Sequence, residues 1–443
     1  MSKPPSTDEA DPGAPGSSGD STTLAKRAAL AGFMGTSLEW YDYFLYGSAA
    51  ALVFPQLFFD GMGDGVATMV SLASFGVSFL FRPLGGVVFG HLGDRIGRKQ
   101  MLVATLLLMG GGSFLIGCLP TSASIGVLAP ILLILLRIVQ GIGLGGEWGG
   151  AATVVVECAP AERRGLYASS MQMGVPAGQL GSAGMVALFA ALPGDAFLEW
   201  GWRIPFLCSG LLIVVGLWVR THLEETPQFR AVEENDKKQR LPIRDVLQSH
   251  WRAVVLLIFV QFGATVAYYM FTVYVLVYVS EELGLPRSWA LTGVFLGAAL
   301  EFVMIPIWAQ LSDRYARRPI YALGTLFMGL YAFPFFWLLD SGSKWVIVLA
   351  VVLGLGVGHA PTSALNGSVY AEQFPARLRY SGASVAYQMS SVVAGAPAAL
   401  VAAALVNATG SAKAVSFYLL AGAVVSLVAL YLLRETRHSA LKV

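Results

Sequence analysis

Twelve apolar stretches, each long enough to cross a lipid bilayer, recur along this chain and leave few folds open to it. A crossing helix takes ~20 predominantly apolar residues, because the hydrocarbon layer is ~30 Å thick and a helix rises 1.5 Å per residue. The runs fall near Ala28–Phe54, Val66–Gly90, Met101–Leu119, Ile125–Val156, Leu166–Leu192 and Trp202–Arg220, then near Val254–Val279, Trp289–Leu311, Ile320–Leu339, Trp345–Tyr370, Gly382–Val406 and Val415–Leu433. Only 13% of the 443 residues are charged and 56% are hydrophobic, a balance that calls for lipid around the chain. In lipid every backbone polar group must find its partner inside the segment, so the expected fold class is all-α and integral to the membrane.

Composition and charge divide the chain further. Residues 1–23 are rich in Pro, Gly, Ser and Asp and are expected to form a disordered tail, with no cleavable leader. Residues 24–222 and 253–435 each carry six spans; 223–252 is a polar linker of alternating charge, and 436–443 a second tail. Of the 29 Lys and Arg residues, 23 fall in the termini and in the loops on the same side as the termini. Arg287, Lys344 and Lys413 lie on the other side, and Arg82, Arg137 and Arg203 lie within or at the ends of spans. Positive loops stay in the cytoplasm, so both termini are expected there, in the inner membrane of a cell.

The two sets of six echo each other. GHLGDRIGRK (Gly90–Lys99) follows the second span and AQLSDRYARR (Ala309–Arg318) the eighth, matching at Asp94/Asp313, Arg95/Arg314 and Arg98/Arg317. After the fourth and tenth spans Glu157 and Arg164 recur as Glu372 and Arg379. A duplicated six-helix unit with a central site between the halves explains both. Gly90, Gly93 and Gly97 leave the backbone free to turn tightly. Asp94 is placed to offer its carboxylate to the positive end of a neighbouring helix, which would latch one half to the other. The bland alternative is that these charges only set topology. For Asp94 it is the weaker reading, because an acid gains nothing from positive-inside sorting.

GHLGDRIGRK resembles the loop signature of the major facilitator superfamily. With GTSLEWYDYFLYG, FRPLGG, RIVQGIGLGGEWGGA, ERRG, WGWRIPF and LEETPQF in order, the chain resembles that superfamily's metabolite:proton symporters, which are related to sugar porters. Only SDRYARR departs from the signature, with Ser312 and Ala316 in place of glycines. The resemblance implies twelve helices in two pseudo-symmetric halves and a loop that stabilises the form closed to the cytoplasm. Within that loop system, Gly90, Asp94, Arg95, Arg98, Glu157, Arg164, Asp313, Arg314, Glu372 and Arg379 are the expected latch residues.

Ionisable groups inside a bilayer are costly, and each is a functional hypothesis. Glu39 and Asp42 share a face of the first span with Tyr43 and Tyr46, and Arg137 on the fourth span lies at a depth comparable to that of Asp42. An Asp42–Arg137 pair is expected, either as the proton-coupling element or as a structural ion pair; the sugar-porter resemblance supports coupling. Glu39 is an accessory proton group. Glu147 either packs among small residues or meets substrate, and Glu301 stands alone on the eighth span. Gln140, Gln172, Gln261, Tyr268, His359 and Asn366 complete the candidate pocket, although any one of them alone is more simply a helix cross-link.

The expected function is therefore uptake of a small polar metabolite with protons by alternating access, with an organic acid favoured and a zwitterionic osmolyte as the alternative. The acidic set Glu39, Asp42, Glu147 and Glu301 around one arginine, Arg137, keeps that alternative open. Proton-coupled export and a non-transporting nutrient receptor are the rivals. No phosphate-binding GxxxxGK[ST] loop, nucleophile–base pair or ligand-spaced His/Cys set is visible, so no cofactor or metal, no nucleic-acid partner and no enzyme activity are expected. The expected surroundings are lipid, protons and a small-molecule substrate, with the chain as a monomer.

Overall fold

The computed structural model describes residues 18–221, 226 and 242–437, and over these the chain is almost entirely helical. The spans are α1 (Ser18–Leu52), α2 (Asp64–Ile96), α3 (Arg98–Cys118), α4 (Leu128–Cys158), α5 (Arg164–Ala190) and α6 (Arg203–Thr221). The second half holds α7 (Trp251–Glu282), α8 (Arg287–Tyr315), α9 (Arg317–Leu339), α10 (Lys344–Glu372), α11 (Ala376–Thr409) and α12 (Lys413–Leu432). Among the described residues, eleven helices are long and apolar enough to cross a membrane. The twelfth crossing is α1, whose apolar character is diluted by Glu39 and Asp42, and both of these are buried.

Local sequence sets where the helices begin and end. α2 stops at Gly97, with φ 136° and ψ 145°, and α3 starts at the next residue. The matching break between α8 and α9 falls on Ala316 at φ 153° and ψ 167°, a region that suits glycine. Three spans of the second half carry π-helical turns: Met270–Tyr274 and Tyr278–Glu282 in α7, Gly354–His359 in α10 and Ser391–Gly395 in α11. Such turns free backbone groups and re-aim side chains, and they concentrate at functional sites.

The halves meet through α5 packed on α8 and α10, and through α2 and α4 packed on α11. A single apolar cluster joins them towards the end of the molecule bearing the two repeated loops, hereafter the basic face. It holds Trp148 and Val155 of α4, Met171 of α5, Ala364 and Tyr370 of α10 and Ala386 of α11. The molecule is thus closed at that end.

Three segment boundaries differ from expectation. Helix α1 begins at Ser18, inside the tail expected over residues 1–23. Within the expected linker 223–252, Pro242–Ser249 is a helix whose Val246 is fully buried, and α7 already starts at Trp251. Thr436, assigned to the second tail, is buried and bonded to Glu372. Thr226 of the expected linker is also buried, and apart from it and Arg437 the rest of the tails and linker lies outside the described residues.

Candidate functional site: a central cavity between the halves

Between the halves, above the apolar cluster, lies a narrow cavity lined by residues of both. The first half contributes Trp40 from α1, Arg82 from α2 and Gln172 and Val175 from α5. The second half contributes Gln261, Thr265, Tyr268 and Tyr269 from α7, His359, Ser363 and Asn366 from α10, and Tyr387 and Ser391 from α11. The π-helical turn of α10 ends on His359, and that of α11 begins on Ser391, so both irregular turns place side chains in the wall.

Arg82 is the principal charge of this wall. It lies fourteen residues before the end of α2, about 21 Å of helix, and is only 5% exposed. Its guanidinium rests on the rings of Phe79 and Tyr43, 4.6 and 5.5 Å from their centroids. Among the described residues it makes no hydrogen bond or ion pair, and its Nε is buried without a partner. Trp40 Nε1, the Tyr268 hydroxyl and Asn366 Oδ1 are likewise buried and unpartnered. Buried polar atoms are normally satisfied, so unpartnered groups around one cavity describe the outline of something that binds there.

The floor of the cavity is sealed by contacts within the first half and across to the second. The Trp148 and Tyr387 rings stack with centroids 3.7 Å apart, Trp148 Nε1 donates to Gln172 Oε1 at 3.0 Å, and Gln172 Nε2 donates to Ser363 at 3.5 Å. On the other side, the Tyr43 and Tyr269 hydroxyls lie 3.4 Å apart.

At the basic face two matching networks bind the halves. Asp94 accepts the backbone N–H groups of Tyr380 and Ser381 in the first turn of α11, at 3.3 and 2.9 Å. Asp313 accepts those of Gly165 and Leu166 in the first turn of α5, both at 2.9 Å. Beside Asp94, Glu157 joins Arg98 at 3.2 Å and Arg379 at 2.5 Å. Beside Asp313, Glu372 joins Arg317 at 3.2 Å and Arg164 at 3.9 Å. A threonine hydroxyl completes each network, Thr226 on Glu157 and Thr436 on Glu372, both at 2.5 Å. At Gly90 a Cβ would come within 2.8 Å of the Ser381 Cα, so this approach of α2 to α11 requires glycine.

The family model described as Major Facilitator Superfamily matches residues 32–399. The chain belongs to the major facilitator superfamily. Among curated relatives of this facilitator, the shikimate transporter of Escherichia coli is 42% identical over 95% of this chain and 97% of its own length. The inner membrane metabolite transport protein YhjE of the same organism is 39% identical over 94% and 95%. The proline/betaine transporter of Salmonella typhimurium is 34% identical over 94% and 85%. Among solved structures, the proton:xylose symporter XylE bound to 6-bromo-6-deoxy-D-glucose superposes with a TM-score of 0.68, at 16% identity, over 95% of this chain and 98% of that one. That likeness concerns the fold.

Of the expected pocket residues, the facilitator fold gathers Gln172, Gln261, Tyr268, His359 and Asn366 in the cavity wall, with Tyr43 just behind Arg82. Others lie elsewhere. Gln140 donates to Ser113 at 2.6 Å, and Tyr46 bonds Ser74 at 2.7 Å. Glu147 pairs with Arg220 at the end of α6 and accepts the Thr105 hydroxyl at 2.6 Å, which leaves it no free oxygen for substrate. Glu301 does not stand alone, because His359 Nδ1 lies 2.7 Å from its Oε1.

The expected Asp42–Arg137 pair is not formed in this conformation. Asp42 Oδ1 accepts the Ser209 hydroxyl at 2.7 Å and its Oδ2 has no partner. Arg137 instead covers the Tyr46 ring at 4.1 Å and donates to Gln140 at 3.4 Å. Equal depth on two spans does not fix their rotation, and here the two side chains find nearer partners. Glu39 is buried with Oε2 unpartnered, and Arg82, Glu147 and Arg220 are the charges that face it. The cavity is therefore not the acidic chamber around Arg137 that the sequence suggested; its free charge is Arg82.

Two latch assignments also change. Arg95 and Arg314 are exposed and make no ion pair among the described residues, whereas their repeat neighbours Arg98 and Arg317 are buried in the networks. Arg82, Trp40, Tyr269 and Tyr387 were not singled out by sequence. For Arg82 a signal existed, since it lies eight residues before Gly90, too deep for a charge that merely marks the end of a span.

Proposed function

We propose that this transporter takes up a small carboxylic acid with protons by alternating access, with the carboxylate held by Arg82 in the central cavity. The observation that carries the reading is the buried guanidinium of Arg82, which makes no hydrogen bond or ion pair among the described residues and lines a cavity whose other unpartnered groups suit hydroxyls. Leaving such a charge unpaired is costly, and a carboxylate ligand removes the cost. The shikimate transporter among the relatives supports the same class. Asp42 is the proposed proton carrier, with Glu39 accessory and Arg137 its switchable partner. One Asp42 oxygen is unpartnered here, and pairing with Arg137 belongs to another stage of the cycle. The latch networks hold the conformation closed at the basic face, which the lysines and arginines assign to the cytoplasm. The chain is assigned to the inner membrane as a monomer, both termini inside. An impermeant thiol reagent applied to intact cells should then label a cysteine placed at Gly61.

A zwitterionic osmolyte is the second reading. The rings of Trp40, Tyr268, Tyr269 and Tyr387 around the cavity would favour a quaternary ammonium, and proline/betaine transporters are among the relatives. Purified protein in vesicles with an imposed pH gradient separates the two. Shikimate should accumulate, glycine betaine and proline should not, and Arg82→Gln should weaken shikimate binding roughly 10- to 150-fold, as the loss of a charged hydrogen bond implies. Accumulation of betaine without any acid overturns the reading.

A further inference from the structure

The second-half wall of the cavity carries a second organised element. His359 ends the π-helical turn of α10, lines the cavity, and sits with its Nδ1 2.7 Å from Glu301 Oε1 on α8. Both side chains are buried. An ionised carboxylate only accepts hydrogen bonds, so in the neutral imidazole Nδ1 carries the hydrogen and Nε2 is left with a bare lone pair. Among the described residues no group bonds Nε2, and it is not among the atoms sealed off by protein, so it opens to the cavity. Tyr268, whose ring lies 4.9 Å from the imidazole, fixes the ring from a third element, α7. Glu301 is thus a positioning residue that aims an acceptor at whatever the cavity holds.

We propose that the Glu301–His359 pair is the specificity element of the cavity, and that it selects acids bearing a hydroxyl across the ring or chain from the carboxylate. The inference rests on the acid reading above and goes beyond it. With the carboxylate on Arg82, the far end of the ligand meets the His359 lone pair and the unpartnered Asn366 Oδ1, both acceptors, together with the Tyr268 hydroxyl. A ligand that donates hydrogen bonds satisfies these groups. A deoxy acid leaves them buried and unpaired, and glycine betaine, which has no donor, does the same. The pair therefore discriminates against fully methylated betaines by what they leave unsatisfied.

Shikimate, with three ring hydroxyls, and cyclohex-1-ene-1-carboxylate, the same ring without them, are the probes, with binding to the purified full chain measured by calorimetry. Wild type should prefer shikimate. His359→Phe keeps the ring volume but lacks the acceptor, and should reduce that preference roughly 5- to 150-fold, with the deoxy acid itself bound no more weakly because it no longer leaves an acceptor unpaired. Glu301→Gln, although remote from ligand, should reduce it in the same direction by releasing the tautomer, and Glu301→Asp should restore part of it. Preference unaltered in both His359→Phe and Glu301→Gln overturns the proposal. Nitrogen-15 spectra of histidine-labelled wild type, with the His359 signal assigned by its loss in His359→Phe, add a readout that needs no ligand. A hydrogen on Nδ1 and a bare Nε2 is the expected signature, and an Nε2-protonated ring overturns the assignment. If wild type binds neither acid, it is the substrate class that fails, and the spectrum still judges the pair.

Discussion

Replacing Asp94 by Asn tests the latch at the point where its energy is concentrated. The carboxylate receives two backbone N–H groups from the first turn of α11, at 3.3 and 2.9 Å, with Arg98 at 3.9 Å on its other side. Asparagine retains one acceptor oxygen and turns an NH2 group towards the second N–H, so one bond is lost and the other loses its charge. A hydrogen bond to a charged group contributes about 1.5–3 kcal/mol. Because both donors belong to the opposite half, the loss falls on the closed form and barely touches the open one. The equilibrium between them should then shift roughly 10- to 150-fold towards opening at the basic face. Spin labels at the exposed positions Arg95 and Arg314 report it as a distance distribution, in which a longer population should grow in the variant. Asp313→Asn should act alike, since Asp313 caps α5 at 2.9 Å as Asp94 caps α11. Distance distributions identical to wild type in both variants would refute the latch reading, provided circular dichroism shows each folded.

Asp42→Asn should abolish accumulation driven by a pH gradient while exchange between equal substrate pools persists; accumulation as steep as wild type would move the proton role to Glu39. Ala316→Gly should stabilise the detergent-purified protein by up to about 2 kcal/mol, because an L-residue at φ 153° costs about 1–3 kcal/mol and glycine returns about 0.5–1 in chain entropy. A lowered melting temperature would show that Ala316 is not strained. Burial alone would raise the Glu435 carboxyl, but the backbone N–H groups of Arg318, Arg437, Arg317 and Thr436 outweigh it and hold the group below the ordinary carboxylate range. A lowered folded-state value adds stability above the unfolded value and loses it as pH falls through the folded one. Wild type should accordingly exceed Glu435→Gln in melting temperature at neutral pH, and the gap should close below about pH 4; a gap independent of pH would contradict this.

Hydropathy dictated all the crossings of this protein but α1, because a span is a one-dimensional property: enough apolar residues in a row to match the thickness of lipid. The contacts of the proposed latch were also legible, since Asp94 and Asp313, Arg98 and Arg317, and Glu157 and Glu372 recur in register, and a helix terminus attracts a carboxylate whatever the surrounding fold. Which buried charge meets which was not legible. Asp42 found Ser209, Glu147 found Arg220, Glu301 found His359, and Arg82 was left free for the cavity. Those choices depend on the rotation of each helix about its axis and on where the helices cross. Both are set by close packing of small and aromatic residues across the bundle, and sequence spacing along a single helix carries no record of them. The sequence therefore determined how many times the chain crosses and where its halves lock, while only the tertiary arrangement decided which arginine faces the cavity.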